Sequence, residues 1–132
     1  MPEPDVVGLF AVPLGQLGIR YMISGSVAAM LFGEPRMPHA IDVVVFLDDA
    51  SIARLPQVFA APEFYLPPAE VIRVEAARDR RGHFNVIHIS SGLKADFYLA
   101  NRDELHRWAI TRARSFAVGG NEVSVAPPEY VI

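Results

Sequence analysis

The sequence contains no cysteine. That excludes a disulfide framework, a thiolate zinc site and a cysteine nucleophile. It fits a reducing compartment, and the expected location is the cytoplasm. Long apolar runs are also missing: none approaches the roughly 18 residues needed to span a bilayer, so no membrane partner is expected. Charge is sparse, at 20% of residues, and neither sign dominates: Lys+Arg is 12, Asp+Glu is 15, and the net charge is −3. A chain with that slight acid excess is not a general nucleic-acid coat. The start, Met1 to Asp5, lacks the basic region of a signal peptide. Repeats and low-complexity stretches are absent.

What the chain does have is apolar bulk, 52% of its 132 residues. That is enough for one domain with a genuine core, residues 1–132, of mixed α/β class. The expected architecture is a mixed β-sheet with flanking helices. The apolar content is also compatible with a homodimer. The eleven prolines sit mostly in joints between elements rather than in linkers.

Arg20 to Ser24 reads as a strand, Gly25 as a turn, and Ser26 to Phe32 as a helix stopped by Gly33. Glu34 to Ala40 is a proline-broken loop. Ile41 to Leu47 is β-branched and nearly all apolar, which suits a strand buried on both faces. Ser51 can cap a helix running to about Ala60, with Ile52, Leu55, Val58 and Phe59 on one face. Ala69 to Ala77 is a second helix entered through Pro68. Phe84 to Ile89, the turn Ser90-Ser91-Gly92 and Leu93 to Leu99 form strand, turn and strand. On the last of these, Lys94, Asp96 and Tyr98 share the polar face. Asn101 can cap a helix from Arg102 to Arg112, with Leu105, Trp108 and Ala109 facing inward and His106 at the surface. Phe116 to Val125 reads as a hairpin. Pro127-Pro128-Glu129 then looks like the first turn of a helix without a body, as in a chain shortened at its C-terminus.

Three features can carry chemistry. A strand-to-helix turn, Ser24-Gly25-Ser26, offers free N–H groups and a hydroxyl to phosphate oxygens. Asp42 interrupts an otherwise apolar strand. Asp96 lies on the polar face of a later one. Taken singly, the turn also fits an ordinary helix cap, Asp42 a strand-end acid and Asp96 a half-exposed polar position. The arginines at 73, 78, 80 and 81, and again at 102, 107, 112 and 114, fit either solvated faces or the basic rim of an acidic pocket.

The order of these features resembles the nucleotidyltransferase superfamily with the DNA polymerase beta type of palm. The resemblance is closest to small prokaryotic members akin to abortive-infection type toxins. It is carried by Tyr21-Met22-Ile23-Ser24-Gly25-Ser26, by Arg36 in the following loop, by Ala40-Ile41-Asp42-Val43 and by Lys94-Ala95-Asp96. It implies transfer of a nucleoside monophosphate from an NTP to a hydroxyl acceptor on RNA, protein or a small molecule. It further implies two Mg²⁺ ions, held by carboxylates that converge on one point. In this reading Asp42 and Asp96 are the catalytic metal ligands. Gly25 and Ser26 hold the triphosphate, and Arg36 and Lys94 offset phosphate charge.

One position departs from the pattern. The first carboxylate of the Asp-hydrophobe-Asp pair falls at Ala40, which has no metal-binding oxygen. Two-metal transfer is therefore expected to be impaired. His39 is a poor substitute, because Mg²⁺ prefers oxygen ligands. A catalytically inactive nucleotide-binding or protein-interaction module, such as a toxin–antitoxin component, is the alternative. Tyr98, beside Asp96, is a candidate for lining the nucleotide pocket. His83 and His88 read as packing or surface residues rather than metal ligands.

Overall fold

The computed structural model describes residues 5–24, 39–118 and 120–127. Among them the chain is a mixed α/β fold with a seven-stranded sheet. The strands are β1 (Tyr21–Ser24), β2 (Ala40–Val45), β3 (Phe64–Tyr65), β4 (His83–His88), β5 (Lys94–Leu99), β6 (Arg114–Val118) and β7 (Asn121–Val125). The helices are α1 (Val12–Gln16), α2 (Asp49–Arg54), α3 (Ala69–Ala76) and α4 (Glu104–Ile110). The strands run in the order β3-β4-β5-β2-β1-β7-β6. β2 pairs parallel with β5 and β1 parallel with β7; the other neighbours are antiparallel.

Alternation along the central strands divides the sheet into two unlike faces. Ile23, Ile41, Val43, Val45, Ala95, Phe97 and Leu99 point to the main core. There they meet Val6, Phe10 and Leu14 from the N-terminal helical segment, Ile52 and Leu55 from the α2 region, and Ile72 from α3. Phe59 ties this core together, with its ring centroid 5.3 Å from Phe64 and 5.9 Å from Phe97. On the opposite face Met22 and Val44 pack beneath Ala109 and Ile110 of α4. Val43, Val44 and Val45 are therefore buried from both sides, as the apolar run predicts.

Several local readings change. The sequence pattern assigns no element before Arg20, whereas the chain forms a π-helical turn, Val7–Ala11, followed by α1. The Asp5 carboxylate accepts the Gly8 N–H at 2.8 Å at the entry to this segment. β2 ends at Val45, two residues before the expected Leu47, and Phe46 is exposed. Asp48, not Ser51, caps α2: its carboxylate accepts the Ser51 N–H at 2.8 Å. Pro56 falls in the 3₁₀ turn Leu55–Gln57, so the α-helix does not reach Ala60.

At α4 the cap is Asp103 rather than Asn101, and the inward face is His106, Ala109 and Ile110. Trp108 and Leu105 are exposed and His106 is buried, the reverse of the expected arrangement. Asn101 instead clasps Leu47. Its side-chain oxygen accepts the Leu47 N–H at 3.0 Å, and its amide donates to the Leu47 carbonyl. The turn between β4 and β5 and the β6–β7 hairpin form where the glycines predict, with Gly92 and Gly120 at positive φ.

Candidate functional site

Asp42 and Asp96 occupy the second sheet face, beyond the part covered by α4. β2 and β5 place them as direct partners in the parallel register. Neighbouring strands lie about 4.8 Å apart, so two carboxylates at one level of the sheet face each other. The antiparallel β1–β2 register puts Ser24 opposite Asp42, and the β4–β5 register puts Asn85 opposite Asp96. A polar row, Ser24–Asp42–Asp96–Asn85, thus crosses four adjacent strands. One step away, Ala40 pairs with Lys94.

The electrostatics follow from this row. Burial pushes the Asp42 carboxyl above the usual aspartate range, and the negative charge of Asp96 pushes it further. Tyr98, two residues beyond Asp96 on the same face, is also pushed up, by burial first and then by Asp42 and Asp96. Ser24 is 1% exposed, and its hydroxyl has no hydrogen-bond partner among the described residues. An unpaired buried hydroxyl costs stability, commonly about 1–3 kcal/mol. A ligand oxygen or a cation would satisfy it.

These groups form an all-oxygen donor set, the chemistry that suits Mg²⁺. Asp42 and Asp96 could hold one such ion, with Ser24 close by in the row. A second ion has poorer support. Ala40 lies on the same face as Asp42, so an acid there would join the pair, but alanine supplies no oxygen. Among the described residues no group of three or more His, Cys, Asp or Glu gathers as a metal site.

Of the residues singled out from the sequence, Asp42, Asp96 and Lys94 are thus brought to one region of one face, and Lys94 is exposed. Gly25, Ser26 and Arg36 lie outside the described residues. Asn85 has no role in the sequence reading, and Ser24 enters it only as the first residue of the Ser24-Gly25-Ser26 turn. The sequence signal for Asn85 is its polar position in an alternating strand, and that for Ser24 its place beside Gly25. His83 and His88 fall on opposite faces. His88 is buried, with its Nδ1 2.6 Å from the Ser91 hydroxyl and its Nε2 3.1 Å from Glu63.

Beyond Tyr98 the face opens into a cleft of about 940 Å³. Arg80 and Arg81 line one side, and Arg102, His106 and Arg107 from the α4 region line the other. Acid pair and arginine-lined cleft therefore adjoin through Tyr98. No protein-family model matches the chain, and no curated protein matches it.

Proposed function

We propose that this chain is a nucleotidyltransferase-like domain that binds a nucleoside triphosphate with Mg²⁺, its transfer activity impaired by Ala40. The observation that carries the reading is the register of Asp42 on Asp96, with Ala40 two residues before Asp42 on the same face. The resemblance asks for three carboxylates at such positions, two of them two residues apart on one strand. The spacing and the shared face are present here, and one acid is not.

In this reading Asp42 and Asp96 hold Mg²⁺. When bound, the ion offsets the charge of the phosphates and fixes their orientation. The buried Ser24 hydroxyl finds a partner in the ligand. Lys94, opposite Ala40, places its cationic side chain at the edge of the same region and offsets phosphate charge. The reaction joins an acceptor hydroxyl oxygen to the α-phosphorus and releases pyrophosphate.

The missing acid favours a second reading, an inactive nucleotide-binding or protein-interaction module such as a toxin–antitoxin component. Ala40→Asp separates the two. Labelled NTPs are incubated with the wild-type and Ala40→Asp proteins and a cell extract as the source of acceptors. Label transferred only by Ala40→Asp, and lost again in Ala40→Asp/Asp96→Ala, supports the enzyme reading. NTP binding without transfer in the restored protein decides for the module.

A further inference from the structure

The turn between α3 and β4 is under two constraints. A Cβ at Gly82 would lie 2.2 Å from the Glu75 carbonyl oxygen, so only glycine passes there. The preceding residue, Arg81, has φ +62°, a left-handed conformation that is uncommon for arginine. Such a conformation costs on the order of 1 kcal/mol or more, and glycine would adopt it with less steric strain. The Arg81 carbonyl lies 3.2 Å from His83 Nδ1, and the His83 ring stacks on Tyr98 with centroids 6.1 Å apart.

Charge in the adjoining cleft is unevenly satisfied. Arg102 is engaged by Asp79 at 3.0 Å. Asp103 caps α4 and lies 3.7 Å from His106. Arg80, Arg81 and Arg107 line the cleft, are exposed, and make no ion pair among the described residues; Glu104 is the acid of the lining left in the same state. Three unpaired guanidinium groups thus face one unpaired carboxylate, beside a stacked pair of rings.

We propose that this cleft is a separate ligand site for a phosphate ester that carries a flat ring. Arg80, Arg81 and Arg107 take the phosphate, and the His83–Tyr98 pair takes the ring. Guanidinium groups bind phosphate oxygens through paired, charge-assisted hydrogen bonds. Aromatic rings stack against a planar base. A mononucleotide and the end of a single nucleic-acid strand both present this chemistry. The site stands on the cleft alone and does not need the metal reading of Asp42 and Asp96.

The test titrates the full chain, at low salt in EDTA, with AMP, inorganic phosphate and a short single-stranded oligonucleotide. The proteins are the wild type, Arg81→Gly/Arg107→Ala and Arg54→Ala. AMP or the oligonucleotide is expected to bind the wild type more tightly than phosphate does. The double variant should lose about tenfold or more in affinity, and Arg54→Ala, which removes an exposed arginine of α2 outside the cleft, should bind as the wild type does. Arg81→Gly relieves the left-handed backbone, so a melting temperature near the wild-type value shows that the loss is not unfolding. Tighter binding of AMP identifies a nucleotide ligand, and tighter binding of the oligonucleotide a strand; either supports the site. Unchanged affinity in the double variant, no binding of AMP or oligonucleotide, phosphate binding as tightly as both, or an equal loss in Arg54→Ala overturns it.

Discussion

Asp42 and Asp96 are direct partners across the parallel β2–β5 pair, so two acids share one level of one sheet face. Packing alone does not favour that arrangement. Burial, and then the charge of Asp96, hold the Asp42 carboxyl above its ordinary value of 3.8. The folded chain therefore keeps a proton that the unfolded chain has lost. Ionised Asp42 weakens the fold above its raised pKa, and that penalty fades as pH falls toward 3.8. Asp42→Asn is expected to melt above the wild type at neutral pH, with the difference shrinking in acid. Thermal melts across that range check it, and a lower melting point at pH 7 would count against the facing-acid geometry.

His106 supplies the opposite sign. Burial lowers its pKa from 6.5, partly offset by Asp103. The unfolded chain then binds a proton that the folded chain resists. Stability from this group is present above pH 6.5 and is lost as pH falls through the window below it. Replacing it with glutamine is expected to flatten the melting profile between pH 5 and 7. A profile as steep as that of the wild type would remove His106 as the cause.

Asn101 holds both backbone polar groups of Leu47, just where β2 has ended. Asn101→Ala strips both partners from the backbone of the buried Leu47. The expected loss is about 1–3 kcal/mol, read from urea unfolding. A loss below about 0.5 kcal/mol would mean that water replaces the clasp.

Phe59 packs against Phe10, Phe64 and Phe97 at the centre of the main core. Phe59→Ala is expected to cost about 3–5 kcal/mol. The same unfolding measurement checks it. Gly82→Ala should also destabilise the fold, because the added methyl meets the Glu75 carbonyl oxygen rather than a yielding side chain.

Much of the sheet was legible because its strands announce themselves by alternation. The polar face of Lys94, Asp96 and Tyr98 and the doubly buried Val43 to Val45 follow from side-chain parity alone. That Ala40 and Asp42 share a face is legible for the same reason. The row Ser24–Asp42–Asp96–Asn85 was not, because strand order and register are set by tertiary pairing. The N-terminal helical segment was obscured by Gly8, Pro13 and Gly15, although Val6, Phe10 and Leu14 carry a four-residue spacing. Helix caps went astray where several candidates stood close together. Asp48 and Asp103 won over Ser51 and Asn101, and Asn101 was drawn to Leu47 instead. On α4, size misled: the large Trp108 lies outside under Arg112, while the smaller His106 turns inward. The arginine cleft joins a turn to a helix that the sequence keeps more than 20 residues apart, so only the fold brings them together.

The most direct measurement is a calorimetric titration of the wild type and Asp96→Asn with each of ATP, GTP, CTP and UTP, in Mg²⁺ and in EDTA. The expected result is binding of at least one NTP to the wild type in Mg²⁺, weakened about tenfold or more by EDTA and by Asp96→Asn. Absence of binding by all four, or Mg²⁺-dependent binding that Asp96→Asn leaves unchanged, would contradict the assignment of Asp42 and Asp96 as the Mg²⁺–NTP site.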